Sequence, residues 1–412
     1  MSQNSHRDVL DEIFEKTLKG PKIFKNKSVL FHDYIPSRLL FREEHITRLG
    51  YSFAPLLRGQ RSSNLFIYGK PGTGKTAVTK YVIARLKQKA REINTRIYVS
   101  YVNCRTAGTE YRVVSALARD VNLSVPFTGL SVEEILNRFK LRITSEKTPV
   151  LVVLDEVDFL VTKYSDDILY TLTRINSPDE GKANLMLVGI SNDLRFKEYL
   201  DPRVLSSLSE EEVVFKPYTP EELEAILLDR VPEAFYEGSV SEEAIKLCAA
   251  ISGAEHGDAR KALDLLRIAG EIAEELGSPK LSPDHVKMAC ERIERDKTME
   301  IIHTLPLHSR LVLTSIYLCI KSDADRVKSS IAYVKYCELA KALANRPLSN
   351  RRFISLVKEL SVLGLLDRRI ENYGRRGGRV TLISLAFPKR EIEKALIKDP
   401  LISEILNKTQ NS

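Results

Sequence analysis

No stretch of the sequence is long and apolar enough to cross a bilayer. The longest nearly apolar run, Leu311 to Ile320, is about half of what a membrane helix needs. The N-terminal stretch carries acidic residues where a signal peptide requires a basic and then an apolar region. The chain is therefore expected in the cytoplasm with no membrane partner. Cysteine is sparse: Cys104, Cys248, Cys290, Cys319 and Cys337 show no C-x-x-C spacing. That pattern speaks against a zinc site or a disulfide framework and leaves reduced core thiols as the expectation. No internal repeat or low-complexity tract is visible.

What is present is a chain of 412 residues with 43% hydrophobic and 29% charged residues, ordinary for a globular protein and long enough for two or three domains. Charge is unevenly distributed. Residues 301–412 hold 20 Lys and Arg against 10 Asp and Glu, a surplus of +10 that exceeds the +8 of the whole chain, so the first 300 residues carry −2. A basic module beside a near-neutral one suggests a polyanion partner.

From Asn64 to Phe215 five apolar runs alternate with helical patterns: Leu65 to Tyr68, Ile97 to Asn103, Val150 to Leu154, Leu185 to Ile190 and Val213 to Phe215. Such runs predict a parallel sheet buried on both faces. After Lys216-Pro217-Tyr218 helical patterns take over, with starts at Thr219-Pro220-Glu221-Glu222 and Ser239 to Glu243. The expected domains are an α/β domain over 1–217 with residues 1–20 as an extension, a helical domain over 218–300, and a third over 301–412 beginning near Leu305-Pro306.

Directly after the first run stands GKPGTGKT, Gly69 to Thr76, a complete G-x-x-x-x-G-K-[ST] loop followed by a helical stretch. Gly69, Pro71, Gly72, Thr73 and Gly74 would turn backbone N–H groups around phosphates. Lys75 would reach the β and γ phosphates, and the Thr76 hydroxyl would ligate Mg²⁺. The run at Val150 ends in Asp155 and Glu156. Asp155 is placed for the Mg²⁺ shell and Glu156 to orient a water against the γ-phosphate. Ser191-Asn192-Asp193 ends another strand, so Asn192 either contacts the γ-phosphate or its water, or belongs to a helix cap. Arg203, after Asp201-Pro202, either points at a phosphate in a neighbouring subunit or is a solvated arginine. Arg260, near the start of a helix opened by His256-Gly257-Asp258-Ala259, is placed to fold back onto the γ-phosphate.

Together with HGDARKALDLLR (256–267), GISND (189–193), LDPRVLSSL (200–208) and FKPYTPEELEAILLDR (215–230), these residues resemble the AAA+ class of ATPases. Within it they are similar to the archaeal replication initiators of the origin recognition and cell division control family. The resemblance spans residues 20 to 400. It implies a P-loop AAA+ α/β domain, an all-helical lid and a C-terminal winged-helix domain, with ATP or ADP and Mg²⁺ as cofactors. It makes Asn192 the first sensor, Arg203 the trans-acting arginine and Arg260 the second sensor, and it sets Tyr218 and Arg230 beside the nucleotide from the lid. It assigns Val29 to Arg42 to the adenine edge, where the residues themselves show only an apolar cluster equally suited to a core. It also implies a helical insertion after the second strand, for which Asn122 to Ile135 is the candidate. That segment lacks Lys and Arg, so a contact with DNA would fall to backbone amides or to Phe127.

In the basic module, Ser309 to Ile320, Ser329 to Leu343 and Ser349 to Leu363 read as helices, and Leu365 to Leu385 as two strands around a glycine-rich tip. This is the pattern of a winged helix. Phe353, Leu356, Val357, Leu360 and Leu363 form a stripe for the core. Arg351, Arg352, Ser355 and Lys358 are placed to meet a major groove, while Tyr373, Arg375, Arg376 and Arg379 crowd the wing. The expected partners are duplex DNA at a replication origin, the replicative helicase and paralogous initiators, giving a nucleoid-associated location. ATP is expected to act as a slow switch. A clamp-loader-like motor and an ATP-sensing transcription regulator are the alternatives.

Overall fold

The computed structural model describes residues 22–126, 129–176, 183–208, 211–321, 326–343, 345–372 and 379–410. The chain forms two compact units, Met1–Lys287 and Met288–Ser412, and the division falls within the helix Pro283–Thr304.

The first unit is organised by five parallel strands, β1 (Leu65–Gly69), β2 (Tyr98–Asn103), β3 (Val150–Asp155), β4 (Leu185–Ser191) and β5 (Glu211–Phe215), in the order β2-β3-β4-β1-β5. Burial follows from that order. Every residue of β3 and β4 is buried, because central strands are covered on both faces, whereas β2 at one edge alternates between buried and half-buried residues. Successive side chains leave a strand on opposite faces. Val150, Val152 and Leu154 accordingly join one core with Leu117, Phe139 and Leu172, while Leu151 and Val153 join another with Val78, Val82 and Leu86. Each such fully buried Leu or Val contributes about 2 kcal/mol.

Three lid helices follow, Pro220–Ala234, Glu242–Glu255 and Ala259–Glu275. The first starts at a capping box in which the Thr219 hydroxyl accepts from Glu222 N at 3.2 Å and the Glu222 carboxylate accepts from Thr219 N at 3.0 Å. Residues 22–34, expected with the α/β domain, instead dock on these helices. Lys25 N and Asn26 N donate to Ala234 O at 2.9 and 3.0 Å, and Phe24 stacks on Phe235 at 4.8 Å between centroids. Gly270 makes room for that stack, since a Cβ there would lie 2.5 Å from the Phe24 ring.

The expected insertion over Asn122 to Ile135 is mainly the connection between the helices Glu110–Asp120 and Val132–Glu146. Ser131 caps the second helix, accepting from Glu134 N at 3.1 Å, and Phe127 lies outside the described residues.

The second unit contains the helices Leu307–Lys321, Ser329–Ala342 and Asn350–Val362 and an antiparallel sheet β6-β8-β7, formed by β6 (Val327–Lys328), β7 (Leu366–Asn372) and β8 (Arg379–Leu385). This is a winged helix, extended by the helices Lys389–Ile397 and Pro400–Gln410. Phe353, Leu356, Val357 and Leu360 enter its core as expected, but Leu363 does not. Leu363 lies just past the end of the helix and is 45% exposed, and Leu365 fills the core instead. Of the five thiols, Cys104 and Cys248 are buried as expected, whereas Cys290, Cys319 and Cys337 are half-buried, Cys319 and Cys337 lying against the core of this unit rather than inside it.

Candidate functional site

The loop after β1 is shaped by glycines that no other residue replaces without strain. Gly72 and Gly74 have φ of 72° and 91°, in the left-handed region. At Gly72 a Cβ would lie 1.6 Å from Asp258 Oδ1, and at Gly74 2.9 Å from the Tyr218 hydroxyl. Gly74 leads into the helix Lys75–Glu92 with no side chain capping it, so the first-turn N–H groups remain free to meet an anion. Lys75 is 4% exposed and donates to Gly69 O at 2.7 Å and Lys70 O at 2.8 Å. Burial, followed by repulsion from Arg260, pushes its ammonium down to about 8.

Thr76 Oγ1 donates to Asp155 Oδ2 at 2.9 Å. This joins the start of the loop helix to the end of β3 and presents hard oxygen donors of the kind a magnesium ion takes. Tyr101 on β2 also donates its hydroxyl to Asp155 Oδ2, a contact absent from the sequence reading. Asp155 and burial raise the Tyr101 hydroxyl above its ordinary range, burial being the larger cause. Glu156 stands in a left-handed conformation at φ 53°, and its carboxylate lies 3.7 Å from Arg105 Nε. Asn192 donates its backbone N–H to Asp158 Oδ1 at 3.3 Å. That bond ties the end of β4 to the helix after β3.

From the lid side, Gly257 turns at φ 65° with no room for a side chain, because a Cβ would lie 2.3 Å from Tyr218 O. Asp258 then caps the helix Ala259–Glu275, accepting from Arg260 N at 2.8 Å and Lys261 N at 3.3 Å. Ala259 N donates to Gly72 O at 3.2 Å, so this helix start is hydrogen-bonded to the phosphate loop. The Gly-Asp-Ala-Arg motif thus has a steric and a hydrogen-bonding reason. Arg260 is exposed and faces the same cleft as Gly72, Gly74 and Thr76.

That cleft is lined by the phosphate loop, by the lid helices and by the segment around Tyr34. Arg230, 7% exposed, lines it. Its Nε and Nη1 have no hydrogen-bond partner, and its guanidinium lies 5.3 Å from the Tyr34 ring. Buried unpaired donors facing a cleft suit an oxygen-bearing ligand. Phe31 and Tyr34 line the same wall, whereas Val29 and Leu30 are core residues. Tyr218, 6% exposed, carries the Arg42 guanidinium 3.7 Å from its ring centroid. Arg203 is on the surface, its side chain 72% exposed and held by both oxygens of Asp201 at 3.0 and 3.2 Å.

Comparison with known proteins agrees with this geometry. Residues 58–197 match the AAA domain model, 224–291 the Cdc6 AAA+ ATPase-type lid domain and 300–395 the CDC6 C-terminal winged helix domain. An ORC1-type DNA replication protein from Sulfurisphaera tokodaii is 45% identical over 398 residues, covering 96% of this chain and 98% of that protein. Another, from Pyrococcus furiosus, is 44% identical, covering 98% and 97%. The chain belongs to the family of ORC1-type DNA replication proteins. Among solved structures, the Aeropyrum pernix ORC1 protein in complex with DNA superposes with a TM-score of 0.76 at 42% identity, covering 93% of this chain and 99% of that one. Cdc6p from Pyrobaculum aerophilum follows the fold at a TM-score of 0.59 and 27% identity, covering 93% and 100%.

In this ORC1-type chain the helix Asn350–Val362 shows two kinds of basic residue. Arg351 and Lys358 are exposed. Arg352 Nη1 instead donates to Ser355 Oγ at 3.3 Å and Glu359 Oε1 at 3.2 Å, so part of its charge is held on its own helix. Arg368 and Arg369 on β7 add basic residues that the sequence reading passed over, Arg368 half-buried and Arg369 exposed. Tyr373, Arg375, Arg376 and the side chain of Arg379 lie outside the described residues; β7 and β8 pair as far as Asn372 opposite Arg379. Among the described residues, no helix is long and apolar enough to cross a membrane.

Proposed function

We propose that this ORC1-type chain is an ATP-controlled initiator that grips duplex DNA at a replication origin through its winged helix and AAA+ domain, works beside paralogous initiators and helps place the replicative helicase. The observation that carries the ATP control is the seating of the lid on the phosphate loop, with Ala259 N on Gly72 O at 3.2 Å and Asp258 packed where a Gly72 side chain would be. A lid fastened to the loop that holds phosphates responds to what the loop holds.

In this reading Lys75 and the free N–H groups from Gly72 to Thr76 hold the β and γ phosphates, and Thr76 and Asp155 hold Mg²⁺. The ion, when bound, neutralises phosphate charge. Glu156 orients the attacking water, Asn192 and Arg260 contact the γ-phosphate from the two sides of the cleft, and Tyr218 and Arg230 flank the nucleotide. Arg203, exposed and held by Asp201 beside the Tyr170 ring, is available to a neighbouring copy. Hydrolysis is slow and serves as a switch, because a complete catalytic set awaits that neighbour's arginine.

On the DNA side, Arg351, Arg352, Ser355 and Lys358 meet the major groove, and Tyr373, Arg375, Arg376 and Arg379 the neighbouring phosphates or minor groove. Support comes from the Aeropyrum pernix ORC1 structure, which was determined with DNA. The test is footprinting on genomic fragments with and without ATP. Protection confined to particular fragments and altered by ATP is expected; uniform protection, or a pattern indifferent to ATP, overturns the proposal.

A further inference from the structure

Arg42 is buried, 4% exposed; it ends the segment that the resemblance gives to the adenine edge but is not among the residues lining the cleft, and no phosphate-loop or sensor motif contains it. Its guanidinium spans three segments. Nε donates to Thr73 O at 3.0 Å, Nη1 to Phe41 O at 3.0 Å and Nη2 to Lys216 O at 2.8 Å, and its flat face rests 3.7 Å from the Tyr218 ring centroid. Burial lowers its affinity for the proton, while Tyr218 and Glu222 act in the opposite direction.

The placement of these partners is what gives Arg42 its significance. The chain passes between the α/β layers and the lid helices twice. The first crossing runs from Tyr34, whose hydroxyl donates to Glu233 of the lid at 2.8 Å, to the helix Glu43–Phe53, whose Leu49 and Phe53 lie in the α/β core. The second is Lys216 to Thr219, between β5 and the first lid helix. Arg42 hydrogen-bonds to both crossings and to the phosphate loop between them. Thr73 O belongs to a loop whose peptide groups must turn their N–H atoms toward bound phosphates, and turning a peptide moves its carbonyl. Only a fork of diverging N–H groups reaches three such carbonyls at once; an ammonium is a point charge on a flexible stem.

We infer that Arg42 is a positioning residue that relays the state of the phosphate loop to both lid crossings and so sets the posture of the lid. This rests on the reading of ATP as a switch and names the connection through which the switch acts. The physical warrant is one rigid group shared by three backbone segments whose relative positions change if the lid turns.

The test compares wild type with R42K, which keeps the charge and loses the fork, in the full chain. Fluorescent-nucleotide titration measures binding, and hydrogen exchange follows two amides that join the lid to its neighbours, Tyr218 N on Gly257 O at 3.1 Å and Ala259 N on Gly72 O at 3.2 Å. In wild type, exchange in peptides containing these amides should differ between the ATP and ADP states. R42K should still bind nucleotide and lose that difference. A second variant, F41G, relaxes the first crossing at a residue that is 41% exposed and stands at φ 59°, and it should reduce the difference without abolishing it. R42K or F41G responding as wild type overturns the inference. So does R42K losing nucleotide binding altogether, since Arg42 would then merely prop the loop. A wild type that binds both nucleotides with no difference in exchange overturns the switch reading itself.

Discussion

Replacing Lys75 by Met should change how the stability of the nucleotide-free protein depends on pH: measured against wild type, the variant should lose ground as pH rises from neutral. The reason is the buried ammonium. Its pKa falls from 10.5 to about 8 in the fold, so between those values the unfolded chain binds more protons than the folded one, and folding stability rises with pH. The penalty is fully present below about pH 8, relaxes above it and is gone near the ordinary lysine value. Full relaxation corresponds to roughly 3 kcal/mol, of which roughly 2 kcal/mol falls between about pH 7.5 and 9.5. For a folding unit of this size that is about 4 °C in Tm. Lost hydrogen bonds to Gly69 O and Lys70 O shift the K75M curve by an amount that varies little with pH, so the slope of the difference is the diagnostic quantity. Thermal melts of both proteins across this range measure it, and saturating ATP should abolish the slope in wild type by keeping the ammonium paired. A Tm difference that is flat with pH, or that grows in favour of K75M, refutes the reasoning.

Other perturbations follow from the same contacts. G72A puts a Cβ 1.6 Å from Asp258 Oδ1 at a φ of 72°, so it should lift the lid helix from the loop and weaken nucleotide binding about tenfold or more, a cost of at least about 1.4 kcal/mol; isothermal titration showing wild-type affinity would count against the contact. D258A removes the carboxylate that caps Arg260 N and Lys261 N and should cost about 1 kcal/mol in thermal stability. R351A with K358A should lower DNA affinity and reduce the slope of log affinity against log salt by about one unit per lost phosphate contact; an unchanged slope would remove both residues from the interface. D399A leaves Arg310, paired with it in the winged-helix unit, without its carboxylate and uncaps the helix Pro400–Gln410. It should destabilise that unit by about 3 kcal/mol in calorimetry.

Local order was legible wherever one segment carries its own reason to form. The continuous apolar runs of β3 and β4 and the capping residues Thr219 and Ser131 state their structure within a few residues. So do the glycines of the phosphate loop. The cleft is different. Arg42 stands between Phe41 and Glu43-Glu44 like any arginine at a helix start, and its three carbonyl partners lie one, 31 and 174 residues away. Tyr101 reads as an alternating strand residue until β2 and β3 pair and bring its hydroxyl to Asp155. Two-residue β6 exists only as a ladder on β8. Chain chemistry alone therefore specified the elements, the phosphate loop and the basic end, because those depend on spacing and capping between near neighbours. Docking of residues 22–34 on the lid, the Arg42 junction and the burial of Lys75 depend on groups far apart in the chain, and they came into being only when folding closed the space between them.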